Sequence, residues 1–556
     1  MTKKNYYVAP DVPLRHPDHA RPRTRREFLA QGFCAGAGTV ATTSILASLI
    51  ASPRALAGLS PDILTRLTEC GLDGGSARKI PFIHIDLAGG ANMAGSNVLI
   101  GGAGGQMDFL GTVGYNKQGL PGDMVPGLAE PGGAGSSESG TSNGDFTDTT
   151  LGLGFHSDSA FLRGILERTS VATRDNINGA VIPARSENDT GNNPHNPLYG
   201  IARVGGAKGS LLSLIGSRTS ESGGNSMAPE QMVLADLRPT KVDRASDVTG
   251  LVNVGDFGSL SPQEVVYVME TVARLSSEKI DKVDTKLSND AAVREKMRCT
   301  YIENASLADQ FPSPDILNPA TDPDIVGGAN SIFTADEFMN DREFQKTASV
   351  MKLVLDSPNN GYPYAGAGTI AMGGYDYHGG GRSTGEVRDL RAGRCMGACL
   401  EYAARKGRPL MLYVSSDGSL SSNGVTEDTP LGRGKGMWTS DNQQTAASFF
   451  LVYNPGSRPV LMGGSPELQA RHQQIGYMRA SGDVETSSSP AANSVDQLVQ
   501  MVVLNYMALH GEIGQFAANF NAQGLTQALG GEQSTLENYV AFEPLSSVAG
   551  GVLNNT

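Results

Sequence analysis

The segment AGAGTIAMGGYDYHGGGRSTGE (residues 365–386) joins a strand pattern to a helix pattern through a glycine-rich turn. It opens with a run of small and apolar residues, which predicts a buried strand. The pair Ser383 and Glu386 then has the spacing of a capping box, which predicts the start of a helix. Asp376 and His378 fall in the turn between the two elements, just past the end of the predicted strand. In parallel α/β sheets, ligands bind at this edge.

Strand and helix patterns alternate on both sides of this segment. KIPFIHIDLAGG (79–90), RPLMLYVSSDGS (408–419) and TAASFFLVYNPG (445–456) have the apolar runs of buried strands, and SVDQLVQMVVLNYMALHG (494–511) has that of a buried helix. This alternation predicts an α/β class, doubly wound fold: a mostly parallel sheet with helices on both faces. Residues 101–150 are rich in Gly and Ser, so we expect long loop insertions in it.

A helical pattern begins at Ser261, which forms a capping box with Glu264 and is followed by proline at the first helical position. The length of the chain, 556 residues, is enough to bury a large core. The domain organisation that we predict is a signal peptide over residues 1–57, a linker or short helix over 58–78, a single α/β domain over 79–530 with a helical insertion near 261–355, and a C-terminal tail over 531–556.

The N-terminal segment has the features of an export signal. Arg25 and Arg26 precede a weakly apolar run and a small-residue cleavage site, with cutting expected after Ala57. Paired arginines at this position indicate the twin-arginine (Tat) pathway, which implies the Tat translocase as a partner and a periplasmic or extracellular location. The alternative is an uncleaved anchor, because an apolar run of roughly 20 residues can span a bilayer. Its Gly, Thr, Ser and Gln content favours cleavage, which leaves no integral membrane domain.

The net charge of the chain bears on its binding partners, and its cysteine content bears on the redox state of its compartment. The net charge of −13 argues against a nucleic-acid partner. An oxidising compartment permits a bridge between Cys70 and Cys299, although spacing alone does not establish the pairing. Cys395 and Cys399 lie four residues apart in a predicted helix, a spacing more typical of a structural role.

Four residues near predicted strand ends combine carboxylates with an imidazole: Asp376, His378, Asp417 and Asp441. Carboxylate oxygens suit Ca²⁺ or Mg²⁺, and the added imidazole also admits Zn²⁺. We therefore predict a divalent metal site. The alternative is that Asp376 caps a turn while His378 bonds a backbone carbonyl.

Further residues are candidates for contact with a substrate. GGANMAGSN (89–97) would present Ser96 at the start of a helix, where free N–H groups favour an anion and a hydroxyl near a metal can act as a nucleophile. The alternative is a plain glycine-rich turn. The polar loop SENDTGNNPHNP (186–197) carries His195, and it reads either as a substrate loop or as a solvated turn. Arg382 and Arg388, near the Asp-x-His turn, could meet an anionic substrate.

The order of five motifs resembles a known family. The motifs are GGANMAGS (89–96), GLGFHSDSAF (152–161), GGYDYH (373–378), SSDGSLSSNG (415–424) and TSDNQQTA (439–446). Together they are similar to a Tat-exported bacterial family of unknown function within the alkaline-phosphatase-like superfamily of phosphatases and sulfatases. The chain departs from the family pattern at Asn92, where members have Asp, and at Asn442, where members have His.

The resemblance implies an alkaline-phosphatase-like fold and the hydrolysis of a small anionic phosphate or sulfate ester. It implies Ser96 as the nucleophile, while Asn92, His195 and Arg382 would contact the substrate. The implied metal ligands are Asp376, His378, Asp417 and Asp441. Because of the two departures, the alternative is a catalytically degenerate envelope protein that acts as a binding or assembly module, associated with secretion or surface structures.

Overall fold

The computed structural model describes residues 58–70, 79–186, 194–206, 208–216, 227–234, 237–252, 260–357, 363–521, 529–530, 532–549 and 552–555. The predicted signal peptide and the central part of the polar loop, residues 187–193, lie outside this set. The chain divides into two compact units. Unit 1 contains the described residues 58–70 and 260–312, and unit 2 contains the others.

The strands, numbered along the chain, are β1 (Phe82–Leu87), β2 (Thr147–Asp148), β3 (Phe155–His156), β4 (Ile177–Pro183), β5 (Leu212–Gly216), β6 (Thr240–Lys241), β7 (Ala365–Met372), β8 (Leu410–Ser415), β9 (Leu420–Glu427), β10 (Lys435–Asp441), β11 (Ala447–Tyr453), β12 (Ser546–Ala549) and β13 (Val552–Asn555). The α-helices are α1 (Pro61–Glu69), α2 (Thr112–Lys117), α3 (Ala160–Arg168), α4 (Val171–Arg174), α5 (Leu198–Ile201), α6 (Ala245–Thr249), α7 (Pro262–Ile280), α8 (Asp290–Gln310), α9 (Ala335–Asn340), α10 (Arg342–Leu355), α11 (Arg382–Arg405), α12 (Pro466–Gln473), α13 (Val495–Ala508), α14 (Phe516–Asn521) and α15 (Gln533–Leu536). Among the described residues, no helix combines the length and apolar character that a bilayer crossing requires.

Unit 2 is built on a seven-stranded sheet in the order β4-β11-β8-β1-β7-β5-β6. Strands β8, β1, β7, β5 and β6 pair in parallel, whereas β11 is antiparallel to both of its neighbours. The sheet is therefore mixed, with β11 as the reversed strand. This confirms the predicted α/β class.

Helices cover both faces of the sheet. Strands β1 and β8 are buried along their whole length, as expected for strands that are covered on two sides. On β7, Ala367 belongs to the apolar cluster that includes α13. The next residue, Gly368, points to the other face, where a Cβ would lie 2.9 Å from Val350 of α10. Small residues on β7 thus allow a close approach of α10.

Helix α11 packs closely on α3 because glycines lie where the two helices meet. A Cβ at Gly393 would overlap the carbonyl of Phe161, and one at Gly397 would lie 2.8 Å from the carbonyl oxygen of Ile165. Buried Cys395 and Cys399, both free thiols, lie on the same stretch of α11. Their burial agrees with the structural role predicted for them.

Unit 1 contains α1, α7 and α8. The predicted capping box between Ser261 and Glu264 begins α7. Its apolar cluster is small and includes Ile63 of α1 and Ile302 of α8. A disulfide joins Cys70, which directly follows α1, to Cys299 of α8, so the bridge that the sequence permitted is formed.

Some predicted elements have different bounds. Unit 1 ends at Pro312, while α9 and α10, which were predicted within a helical insertion reaching residue 355, belong to unit 2. The predicted cap at Ser383 is wrong, because α11 begins one residue earlier, at Arg382. The carboxylate of Glu386 accepts hydrogen bonds from the side chains of Arg382 and of Lys435, which is distant in the sequence, instead of from the backbone N–H of Ser383.

Candidate metal centre

The candidate site lies at one edge of the sheet in unit 2. Because β1, β7 and β8 are parallel, the loops that follow them leave from the same edge. Strand β11 runs the other way, so the segment that precedes it also lies at this edge. Asp376 and His378 follow β7, Asp417 follows β8, and Asp441 ends β10 shortly before β11 begins.

The turn after β7 alternates between buried tyrosines and accessible ligand residues. Tyr375 and Tyr377 are buried, whereas the side chain of Asp376 is 60% exposed and that of His378 is 41% exposed. The Tyr375 hydroxyl donates a hydrogen bond of 2.9 Å to the backbone carbonyl of Arg388. Burial alternates along this turn, so the anchored tyrosines leave Asp376 and His378 on its accessible side.

The Tyr377 hydroxyl connects this turn to the loop after β1. It donates to a carboxylate oxygen of Asp389 at 2.7 Å and accepts the backbone N–H of Asn92 at 2.9 Å. The side-chain amide of Asn97 donates to the other oxygen of Asp389 at 2.9 Å. Burial, and then the charge of Glu386, raise the pKa of Asp389 to about 7 against the hydrogen bonds that lower it. This network holds two loops of the site together.

Asp376, His378 and Asp441 converge on one point. Nδ1 of His378 is hydrogen-bonded to Asp376 and lies 2.9 Å from Oδ1 of Asp441. One ligand atom from each residue lies within 4.8 Å of the other two. A single ring nitrogen that faces two carboxylates marks a locus for positive charge, either a proton on the ring or a metal ion. The mixed oxygen and nitrogen donors are of the kind that hold a divalent cation, which would replace the proton shared by the ring and the carboxylates.

Asp417 lies outside this three-residue group, although it contacts the loop after β1, which packs on the ligand turn. Its Oδ1 accepts the backbone N–H of Gly89 at 2.5 Å. Gly89 packs on the ligand turn so closely that a Cβ would lie 2.5 Å from the backbone nitrogen of Asp376, and its φ of +121° also favours glycine. Gly89 therefore contacts both the side chain of Asp417 and the backbone of Asp376.

The expectation that Ser96 begins a helix is wrong. Ser96 lies in a tight turn between Ala94 and Val98, because backbone hydrogen bonds join Gly95 to Val98 and Val98 to Met93. Its side chain is fully buried, and its hydroxyl accepts a hydrogen bond from the side-chain amide of Asn92.

His195 and Arg382 also lie outside the three-residue group. His195 is buried near His84, and the pKa of His84 is lowered to about 3 by burial and then by the charge of His195. Arg382 is buried too, with its guanidinium 4.7 Å from the ring centroid of Trp438 and bonded to Glu386 at 2.7 Å. The substrate-binding roles of both residues stay predictions.

The sequence analysis did not single out the residues that hold the ligand turn in place. They are Gly89, Tyr375, Tyr377 and Asp389. The one signal for them was the alternation within GGYDYH, since a period of two predicts opposite sides for the tyrosines and the ligands. Asp389 gave no such signal because its partners are distant in the chain.

In unit 1, Cys70, Glu295 and Cys299 also place potential ligand atoms near one another. The two cysteines are joined in a disulfide, so neither offers the thiolate that a metal requires. Within the described part of the chain, the candidate metal centre therefore consists of Asp376, His378 and Asp441.

Comparison of the chain with known protein families, with curated proteins and with solved structures gives no match.

Proposed function

We propose that the protein is a Tat-exported, metal-dependent hydrolase of phosphate or sulfate esters with an alkaline-phosphatase-like fold. The observation that carries the proposal is the convergence of Asp376, His378 and Asp441 at the carboxyl edge of the sheet. Metal ions in such hydrolases are commonly held by carboxylates and imidazole at this edge. The resemblance of the five sequence motifs to the phosphatase and sulfatase superfamily supports the same reaction class.

The three residues would hold one divalent cation, which would supply Lewis-acid stabilisation of a phosphoryl or sulfuryl oxygen and a more acidic bound water. Asp376 and His378 are exposed on one side, and this leaves room for a substrate to approach. Asp417 accepts from Gly89 and so orients the backbone against which Asp376 packs. These contacts hold the ligand residues in place. Solvent is excluded only from the side of the turn where Tyr375 and Tyr377 are buried.

The described geometry favours water over Ser96 as the attacking group. The hydroxyl of Ser96 is fully buried and already accepts the amide of Asn92. Attack by Ser96 would require the turn from Ala94 to Val98 to open. A covalent phosphoryl-serine intermediate, trapped by rapid acid quench and located by mass spectrometry, would support Ser96 instead.

A second candidate function is a binding or assembly module without catalysis. It is favoured by Asn442, which takes the place of a family histidine. The Oδ1 of Asn442 accepts the backbone N–H groups of Gln444 at 2.6 Å and Thr445 at 3.2 Å. This residue therefore shapes the turn before β11, and in this rotamer its side-chain oxygen is occupied by the chain.

The deciding experiment is elemental analysis by mass spectrometry of the protein exported through its own signal and purified without chelator. Asp376→Ala tests the site, and Asp428→Ala, which removes an exposed carboxylate after β9, serves as the control. Near-stoichiometric metal that is lost only in Asp376→Ala supports the metal centre. Hydrolysis of p-nitrophenyl phosphate or sulfate by the loaded protein then supports the enzyme, and loaded but inactive protein supports the binding module. Absence of metal from the folded wild type overturns the proposal.

A further inference from the structure

Arg388, in the second turn of α11, packs flat against the ligand turn. From the point where a Cβ of Gly374 would lie, the distances to Cζ, Nη1 and Nη2 of Arg388 are 3.4, 3.5 and 3.6 Å. Three nearly equal distances mean that the guanidinium plane faces Gly374. The φ of Gly374 is +89°, a conformation that favours glycine. The glycine conformation of the turn therefore lets the guanidinium of Arg388 pack against it, next to the metal-ligand residues.

The side chain of Arg388 has no ion pair or hydrogen bond with any of the described residues, although it is half-buried. Its backbone carbonyl accepts the Tyr375 hydroxyl, but this leaves the five N–H donors of the side chain unused. The other arginines of α11 face acidic partners: Arg382 faces Glu386, Arg391 faces Asp341, Arg394 faces Glu167, and Arg405 faces Glu401. A half-buried guanidinium without such a partner is available to an external anion.

The negative charge at the candidate metal centre explains why a positively charged Arg388 would favour binding of an anionic substrate. Asp376, Asp417 and Asp441 bring three negative charges to the edge of the sheet. A divalent cation would leave one negative charge, which repels an anionic substrate, and Arg388 would compensate it. Gly374 precedes Asp376 by two residues, so their Cα atoms are at most about 7 Å apart. The guanidinium therefore lies within reach of an oxyanion held at the metal.

We propose that Arg388 is a substrate-binding residue that recognises the oxyanion of a phosphate or sulfate ester at the metal centre. The inference rests on the proposed metal centre. The planar guanidinium of Arg388 can donate two hydrogen bonds to substrate oxygens that the metal does not bind. The single ammonium group of a lysine cannot reproduce this geometry. Anion binding consequently needs both the metal and Arg388, whereas metal binding needs no Arg388.

The test separates these two dependences. Inorganic phosphate is titrated by calorimetry into the purified protein, with and without the divalent metal that elemental analysis finds, for the wild type, Arg388→Gln and Arg388→Lys. Arg394→Gln is the control, because it removes an arginine of the same helix that is paired with Glu167. We expect wild-type metal content in all variants, and phosphate binding about 10- to 100-fold weaker in Arg388→Gln. Arg388→Lys should recover only part of the affinity, and Arg394→Gln should bind as the wild type.

Equal phosphate affinity of the metal-loaded wild type and Arg388→Gln overturns the inference and leaves the proposed function intact. Equal losses in Arg388→Gln and Arg394→Gln also overturn it, because they indicate a general effect of helix charge. If the wild type takes up no metal, the proposed function fails. The inference then fails with it, because it requires an oxyanion held at the metal.

Discussion

Asp389 should make the stability of unit 2 decrease as the pH rises towards neutrality. Its carboxyl group is buried between Tyr377 and Asn97, and its pKa is raised from 3.8 to about 7, mainly by burial. The folded protein therefore keeps a proton that the unfolded chain releases above pH 3.8. Stability from this group is complete below that pH and is lost as the pH rises to 7. At 1.36 kcal/mol per pH unit, this interval corresponds to about 4 kcal/mol.

Asp389→Asn removes the titration while keeping a side chain of the same shape. We expect the free energy of unfolding of the variant, minus that of the wild type, to become more positive by several kcal/mol between pH 4 and pH 8. Urea unfolding can be followed by the fluorescence of Trp438, which is the only tryptophan and is buried in unit 2. Asp336→Asn is the control, because Asp336 is exposed.

The difference between the variant and the wild type isolates Asp389, because both proteins carry the same buried histidines. A difference that stays constant from pH 4 to pH 8 would refute the reasoning. It would mean that the hydrogen bonds from Tyr377 and Asn97 fully offset the cost of burying the charge. A difference that falls as the pH rises would give the carboxylate the opposite role, that of a stabilising buried anion.

Three further outcomes follow from the structure. Gly89→Ala should lower metal affinity and destabilise unit 2 by more than about 2 kcal/mol, as shown by metal titration and urea unfolding, whereas Gly379→Ala, where a Cβ meets nothing within 4 Å, should do neither. Replacing Cys70 and Cys299 together by serine should cost about 2–5 kcal/mol, measured by urea unfolding of the whole chain followed by circular dichroism, and an unchanged transition would contradict this. The pKa of buried His510 is lowered to about 3, so the stability that its neutral form contributes is lost as the pH falls below 6.5. His510→Asn should therefore remove about 2 kcal/mol of the stability loss between pH 7 and pH 5, measured by urea unfolding. An unaltered acid sensitivity of the variant would contradict this.

Four strands of the sheet, β1, β7, β8 and β11, could be predicted because they are apolar or small-residue runs that contain few charges, whereas β4, β5 and β6 were not predicted. The position of Asp376 and His378 at the sheet edge could be predicted for a related reason, since the turn follows the end of β7 directly. Both inferences use only neighbouring residues. Burial of β1 and β8 along their whole length shows why local hydrophobicity was sufficient for them.

Features that depend on distant residues were not predictable. Ser383 and Glu386 match a capping box locally, but Glu386 pairs with Lys435, which is far away in the sequence. Ser96 follows glycines as a helix start often does, yet the residues after it pair with a distant segment, since the N–H of Leu99 donates to the carbonyl of Gly154 and the carbonyl of Asn97 accepts the N–H of His156. The reversed direction of β11 has no local signature, because an apolar run reads the same in either orientation.

The reversal of β11 also explains the composition of the candidate site. Asp441 ends β10 of the β9–β10 hairpin, close to the start of β11, and therefore reaches the same edge as Asp376 and His378. The side-chain oxygen of Asn442 accepts a hydrogen bond within the turn that leads into β11 and so is not directed at the site. The donor set is consequently two carboxylates and one imidazole. Such an oxygen-rich set suits Ca²⁺ or Mg²⁺ better than sites with several imidazoles do. We therefore expect a hard cation in the purified protein, and stoichiometric Zn²⁺ would show instead that the single imidazole decides the choice of metal.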